Sequence, residues 1–197
     1  MKYDPAKHHR RSIRLKGYDY AQAGAYFVTI LARHGECVFG KVTTGQMRLN
    51  AVGQAAARVW QALPYHFPGV TLDGWVMMPN HMHGIVILAG EVGGMRKGEA
   101  SAPGSPDISD TRRADASPLP ERPHGTAPRS LGAIVQNFKS VSTRRINALR
   151  QTPGQPVWQR NYYEHVIRGE TDLQRIRQYI VNNPAKWHED ENNPNRP

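Results

Sequence analysis

Two histidines separated by a single residue are the strongest candidates for chemistry in this chain. His81 and His83 flank Met82 inside an apolar, strand-like stretch. Because side chains alternate between the two faces of a β-strand, the two imidazoles point to the same side, about 7 Å apart along the strand. Such a pair can bind one metal ion or one phosphate. Two partly exposed histidines without any ligand would show the same spacing, so the pair alone leaves both alternatives open.

A tyrosine and an asparagine near the end of the chain offer complementary groups. Tyr179 and Asn183 are four residues apart in a helical pattern, so they lie one turn apart on the same helix face. Taken alone, the tyrosine could lie at the edge of the core and the asparagine could cap the helix. Beside two imidazoles, a phenol and a side-chain carbonyl would form a compact site for phosphoryl transfer.

The elements that must position these groups follow from hydrophobic periodicity and turn residues. Two buried strands flank the turn at residues 79–80, and the histidines open the second of them. We expect the polar end of the chain, from about His188, to fray. The predicted elements are a strand at 25–31, a hairpin at 38–49, a helix from the N-cap Asn50 to about Leu63, strands at 70–78 and 82–88, a helix at 131–149, a short extended segment at 157–160 and a helix from the N-cap Thr171 to Asn183.

Composition indicates one domain and a polyanionic partner. The chain has 197 residues and a formal charge of +10, which favours nucleic acid first and an anionic membrane second. We expect a single domain with a core at about 17–187, interrupted by a disordered insertion at 91–128 that is rich in Gly, Pro and Ser. One cysteine, Cys37, excludes an internal disulfide. With no signal-like segment or membrane span in view, we expect a cytoplasmic protein.

Four sequence segments in a fixed order resemble one family. The chain is similar to the single-tyrosine HUH transposases, and most of all to the REP-associated tyrosine transposases. The histidine pair alone is a weak match, whereas the ordered set is specific. The matching segments are WVMMPNHMH at 75–83, SLGAIVQNFKS at 130–140, WQRNYYEHVIR at 158–168 and YIVNNP at 179–184.

The resemblance implies an α+β fold, with a ferredoxin-like or RRM-like antiparallel sheet and packed helices. It implies that His81 and His83 bind a divalent ion, Mg²⁺ or Mn²⁺, and that Asn183 is the third ligand. It assigns the nucleophile to Tyr179 on the C-terminal helix, which attacks DNA to leave a 5′-phosphotyrosine and a free 3′-hydroxyl. The implied substrate is single-stranded DNA near imperfect palindromic hairpins. A bacterial, nucleoid-associated enzyme acting as a monomer or homodimer follows from the same resemblance.

Further candidates and other functions stay open at this point. The adjacent pair Tyr162 and Tyr163 offers rival nucleophiles, although we interpret both as packing or DNA-facing residues. A catalytically silent, RRM-like nucleic-acid-binding protein derived from a transposase, or a metal phosphoesterase that uses water, would share much of the sequence pattern. The predicted DNA-binding residues are cations that could follow a single-stranded backbone: Lys139, Arg144, Arg145, Arg160 and Arg168.

Overall fold

The computed structural model of the chain describes residues 17–90, 127 and 129–196. The basic residues before 17 lie outside this range, as does the insertion predicted at 91–128, apart from Ala127. None of the described helices combines the length and the apolar composition needed to cross a membrane.

Within these residues the fold centres on a four-stranded antiparallel sheet, in the order β4-β5-β1-β6. A separate hairpin, β2-β3, turns through Thr44 and Gly45, which both have positive φ, as a two-residue type I′ turn requires. The strands are β1 Gly24–Leu31, β2 Gly40–Thr43, β3 Gln46–Leu49, β4 Val70–Met77, β5 His81–Leu88 and β6 Tyr163–Ile167.

Helices cover both faces of this sheet. Without the inserted hairpin, the order β1-α1-β4-β5-α3-β6 is the ferredoxin-like βαββαβ arrangement, with α4 added at the end. The predicted α+β fold with an antiparallel sheet is therefore confirmed. The helices are α1 Ala51–Gln61, α2 Leu63–His66, α3 Leu131–Arg150 and α4 Glu170–Asn182.

The two faces of the sheet bury different amounts of apolar surface. The main core lies under α1 and α3, where residues such as Val28, Met82, Trp60 and Phe138 are fully buried. A Cβ atom on Gly84 would collide with the Trp60 ring, so glycine at this position lets α1 pack closely on β5. The smaller cluster on the opposite face joins the sheet to α4, and its buried members are Phe27, Ile85, Ile176 and Ile180.

Side-chain caps explain where two of the helices begin. Asn50 Oδ1 accepts from the Gly53 amide at 2.9 Å at the start of α1, as the sequence predicts. Ser130 Oγ accepts from Ala133 N at 3.3 Å at the start of α3. The prediction that Thr171 is the N-cap of the last helix is wrong. The cap is Gly169, whose φ of 86° suits glycine, so α4 already begins at Glu170.

Candidate active site

The two histidines open β5 on the face that α4 covers. His81 is fully buried and His83 is 2% exposed. Their Nε2 atoms lie 3.0 Å apart, so the predicted same-face pair is present and converges on one point. His83 lies opposite Val76 on β4 and opposite Thr29 on β1, which places the pair over the central strands of the sheet.

Neighbouring side chains set the orientation of the His81 and His83 rings. Asn80 Nδ2 donates to the carbonyl oxygens of Gly35 and Asn192, at 2.9 and 2.6 Å, which orients its Oδ1 toward His81. The Nδ1–H of His81 donates to that oxygen at 2.8 Å, so Nε2 keeps its lone pair. The Thr29 hydroxyl contacts His83 Nδ1 at 2.8 Å and can donate or accept. Both contacts are of the kind that orients metal-binding histidines.

Burial keeps both imidazoles neutral at physiological pH. It lowers the pKa of His81 to about 4, although the nearby Asp190 carboxylate opposes part of that decrease. Burial and the neighbouring His81 hold the pKa of His83 well below its usual value. Neutral imidazole is the form that binds metal ions, so both side chains are ready to act as ligands.

Asp190 joins the histidine pair, and sequence reasoning missed it. Its side chain is 5% exposed, and Oδ2 lies 3.7 Å from His81 Nε2. Its other oxygen, Oδ1, accepts from the backbone and side-chain nitrogens of Asn192. Ligand atoms of His81, His83 and Asp190 all lie within 4.8 Å of one another, so this group could hold a metal ion.

Asp190 was missed because the sequence predicts that the chain end frays. Residues 187–192 instead fold back over the start of β5. The Trp187 ring lies 5.9 Å from the His81 ring, and the Asn192 carbonyl accepts from Asn80. No periodic pattern marks this segment, so the only available signal was a carboxylate in a polar tail.

The Tyr179 hydroxyl lies beside the histidines. It is 3.2 Å from His83 Nε2, and the ring packs edge-on against His83 and Phe27 at centroid distances of 5.1 and 6.0 Å. The residue as a whole remains 45% exposed. Partial burial raises the pKa of the phenol, and the charges of Asp190 and Glu191 raise it further.

Asn183 lies one turn beyond Tyr179 and is 4% exposed. Its Oδ1 atom is buried and has no hydrogen-bond partner anywhere in the described part of the chain. A hydrogen bond from its side chain opposes the increase in the pKa of Tyr179. A buried oxygen without a partner, on a side chain that contacts Tyr179, suits the role of a metal ligand.

Contacts along α4 hold Tyr179 in this position. Ile176 and Ile180 pack into the smaller core on either side of it. Arg177 donates from Nε and Nη2 to the two carboxylate oxygens of Asp73, at 3.0 and 2.6 Å, which ties the helix to β4. A bidentate pair of this kind fixes geometry as well as adding stability.

A cleft of about 350 Å³ opens in front of the Tyr179 hydroxyl. The sheet forms its floor, α4 forms one wall, and the chain end forms the rim. Its lining includes His83, Tyr163, His165, Arg175 and Glu191. Of the adjacent tyrosines, Tyr163 is 49% exposed on this face, whereas Tyr162 packs against the main core.

Four of the five predicted DNA-binding cations lie outside this cleft, and the fifth, Arg168, lines a neighbouring pocket that shares Tyr163 and His165 with it. Arg144 and Arg160 are exposed and line a groove of about 570 Å³ between α3 and residues 156–162. Lys139 lines the same groove, but its ammonium donates to three backbone carbonyls, and burial lowers its pKa to about 8. Arg145 is exposed on α3, and Arg168 lines a smaller pocket beside β6.

Comparison with known proteins identifies a family and a fold. A Haemophilus influenzae protein of uncharacterized function is 40% identical over 190 residues, which cover 96% of both chains. The chain belongs to the same family as this Haemophilus protein. A scan against protein-family models gives no match.

Among solved structures, a REP-associated tyrosine transposase bound to a REP hairpin matches 89% of this chain and 74% of its own, with a TM-score of 0.52 and 18% identity. The chain therefore has the fold of a REP-associated tyrosine transposase, as the sequence resemblance predicts. A protein from Deinococcus radiodurans named as a candidate transposase matches 87% of this chain and 97% of its own, at 16% identity and a TM-score of 0.44. That second likeness is too distant to add weight.

Proposed function

We propose that the protein is a transposase-like enzyme that cuts and rejoins single-stranded DNA near hairpins through a covalent bond to Tyr179. The observation that carries this proposal is the position of the Tyr179 hydroxyl, 3.2 Å from a buried histidine pair, on a fold shared with a transposase. The solved transposase is bound to a REP hairpin, which motivates hairpin-bearing DNA as the substrate. The formal charge of +10 agrees with a nucleic-acid partner.

The residues present fit a divalent metal ion. Two neutral imidazoles and one carboxylate converge, and the buried Asn183 Oδ1 offers a fourth donor. The 3.0 Å between the Nε2 atoms suits two adjacent ligands, since metal–nitrogen bonds of about 2.1 Å at right angles give about that separation. A mixed set of nitrogen and oxygen donors suits Mn²⁺ or Mg²⁺, and nitrogen ligands favour Mn²⁺. We therefore propose His81, His83, Asp190 and Asn183 as the ligands.

The bound ion would supply charge stabilisation at a non-bridging oxygen of the scissile phosphate. The chain itself supplies the nucleophile: the Tyr179 oxygen attacks phosphorus, the P–O3′ bond breaks, and the phenol proton leaves to water through the exposed side of the ring. The departing O3′ takes up a proton, so the products are a 5′-phosphotyrosine and a 3′-hydroxyl. Because the covalent intermediate retains the energy of the phosphodiester, a second 3′-hydroxyl can attack it and rejoin the strand without ATP.

A denaturing-gel assay tests this function. Hairpin-bearing single-stranded DNA labelled at its 3′ end, so that the label stays on the fragment joined to the protein, is incubated with Mn²⁺ and either the wild type or Tyr179→Phe. We expect a labelled protein–DNA adduct that survives denaturation in the wild type only. Tyr163→Phe is the matched control, because it removes a neighbouring cleft hydroxyl of similar exposure, and we expect it to retain the adduct.

Other outcomes would support the alternative functions. Cleavage without an adduct in both the wild type and Tyr179→Phe would indicate a phosphoesterase that uses water. Hairpin binding without cleavage in any variant, across several hairpin sequences, would favour a catalytically silent binding protein. The phenol beside the histidines argues against the second outcome, since a binding protein has no need for a nucleophile at that position.

A further inference from the structure

A second histidine site shares the cleft with Tyr179 and has no role in the chemistry described so far. His165 lies on β6, directly opposite Phe27 on β1, and faces the same side of the sheet. Its Nε2 atom lies 2.8 Å from Asp172 Oδ2, at the start of α4. Asp172 also accepts from Arg175 Nη2 at 2.7 Å and from the Arg168 amide at 3.3 Å.

The position of Phe27 relates this histidine to Tyr179. The Phe27 ring lies 6.0 Å from the Tyr179 ring, and its strand neighbour is His165. Tyr179 and His165 thus both neighbour Phe27, and both line the cleft of about 350 Å³. In an in-line displacement the attacking and departing oxygens lie on opposite sides of phosphorus. A phosphate bound in this cleft between the two side chains would have its attacking side toward Tyr179 and its departing side toward His165.

We propose that His165 is the proton donor to the departing 3′ oxygen and the proton acceptor when a 3′-hydroxyl attacks the phosphotyrosine. This inference rests on the proposed function. In cleavage the Tyr179 O–P bond forms, the P–O3′ bond breaks, and the imidazolium gives its proton to O3′. In rejoining the same steps run in reverse, and neutral His165 takes the proton of the incoming hydroxyl.

Asp172 has a positioning role in this proposal. Its bond to Nε2 fixes the ring orientation, so that Nδ1 is the nitrogen left to exchange a proton with the substrate. The carboxylate stays ionised, because bonds from His165 and Arg175 lower the pKa of Asp172 to about 2. Charged and titratable groups around His165 are Asp172 and Arg175 from α4 and Arg168 after β6. The cleft also presents Tyr163 on the same strand face, and His83, Tyr179 and Glu191 from other elements.

A purely structural histidine would also tie β6 to α4, so the test must separate packing from proton transfer. Replacing the bridging 3′ oxygen of the scissile phosphate with sulfur does this. A thiol has a pKa of about 8.5, so a thiolate departs without protonation, whereas an alkoxide does not. The loss of a proton donor therefore slows cleavage of the oxygen substrate and leaves cleavage of the sulfur substrate unchanged.

The experiment measures single-turnover adduct formation by wild type, His165→Gln and Asp172→Asn on both DNAs, with melting temperatures recorded for each protein. His66→Gln is the control, since it alters an exposed histidine on α2, away from the cleft. We expect His165→Gln to slow cleavage of the oxygen substrate about 100-fold or more, and to slow cleavage of the sulfur substrate less than about threefold. Asp172→Asn should show a smaller loss with the same dependence on the leaving atom, and the control should show none.

Equal losses on both substrates, or no loss on either, would overturn the role of His165 as proton donor. If the wild type forms no adduct on either substrate, the proposed function fails, and this inference fails with it. If His165→Gln does not fold, the ratio of the two rates in Asp172→Asn decides the question, because that variant keeps the shape of the side chain.

Discussion

The Tyr179 hydroxyl and His83 Nε2 are 3.2 Å apart, although 96 residues separate them in the chain. The distance joins the proposed nucleophile on α4 to a proposed metal ligand on β5. The two functions should nevertheless separate by mutation. We expect Tyr179→Phe to keep Mn²⁺ affinity within about threefold and lose at least about 1,000-fold in cleavage. His83→Ala should lose both Mn²⁺ binding and cleavage.

Isothermal titration with Mn²⁺ and single-turnover cleavage by the same protein preparations check this separation. Phe27→Leu serves as the control for packing around both side chains, because it removes the ring that contacts them and leaves their polar atoms in place. A large loss of Mn²⁺ affinity in Tyr179→Phe would contradict a purely nucleophilic role for the phenol.

The contributions of Asp190 and Asn183 to metal binding can be compared by mutation. The Asp190 carboxylate carries charge and lies 3.7 Å from His81 Nε2, whereas Asn183 offers a neutral oxygen. We expect Asp190→Asn to weaken Mn²⁺ binding about 10-fold to 100-fold, and Asn183→Ala to weaken it less. Electron paramagnetic resonance of bound Mn²⁺ measures both. Glu191→Gln is the matched control for the charge of Asp190, and a similar loss in that variant would indicate a general electrostatic effect.

Asn80 should control metal affinity without being a ligand. Its Oδ1 accepts from His81 Nδ1 at 2.8 Å, and its Nδ2 holds the chain end through the Asn192 carbonyl. Removing an orienting partner of a ligand typically costs 10-fold to 100-fold in affinity. We therefore expect Asn80→Ala to lower Mn²⁺ affinity by about that factor in the same titration. Unchanged affinity would show that the His81 ring is held by its packing alone.

The buried histidines should make the metal-free protein sensitive to acid. The pKa of His81 is about 4 in the folded protein, below the ordinary histidine value of 6.5 that we assign to the unfolded chain. The unfolded chain therefore binds more protons as the pH falls from about 6.5 toward 4, and stability decreases over that window. Stability from this group is fully present above about 6.5. We expect a loss on the order of 1–3 kcal/mol between pH 7 and pH 4.5.

Urea unfolding at several pH values measures this loss, and His81→Gln supplies the comparison. Because glutamine does not titrate, the stability of that variant should depend less on pH over the same window. An identical slope in wild type and variant would show that other groups cause the acid sensitivity.

Lys139 should act mainly on stability. Its ammonium donates to the carbonyl oxygens of Gln159, Arg160 and Asn161, which ties that segment to α3. Lys139→Met removes the donors and keeps most of the volume, so we expect a loss of about 1–3 kcal/mol in the free energy of unfolding. Arg144→Ala, in the same groove, should change stability by less than about 0.5 kcal/mol. If Lys139→Met is as stable as the wild type, the three carbonyl contacts add no stability. Such a result would favour DNA binding as the role of Lys139.

Much of the fold could be predicted from the sequence, because it depends on local patterns. A run of β-branched and aromatic residues located β1, an apolar run after a turn located β5, and Asn50 marked the start of α1. The start of α4 was misplaced, since Thr171 is a good capping residue but Gly169 has the backbone conformation that the turn after β6 requires.

The candidate site was only partly predictable. Strand alternation places His81 and His83 on one face, and helical spacing places Tyr179 and Asn183 one turn apart. Both pairings could therefore be predicted from local sequence spacing. Asp190 could not, because its position depends on how a polar tail returns to Asn80. Likewise, nothing local to Lys139 shows that its ammonium is held by three carbonyls.

Identifying the residue that carries DNA is the most direct test of the proposed mechanism. The denatured adduct from wild type, Mn²⁺ and hairpin DNA is digested with protease and nuclease, and the modified peptide is sequenced by mass spectrometry. We predict a 5′-linked nucleotide on Tyr179, in the peptide that contains residues 178–186. A nucleotide on Tyr162 or Tyr163, or an adduct that persists in Tyr179→Phe, would contradict the assignment of Tyr179 as the nucleophile.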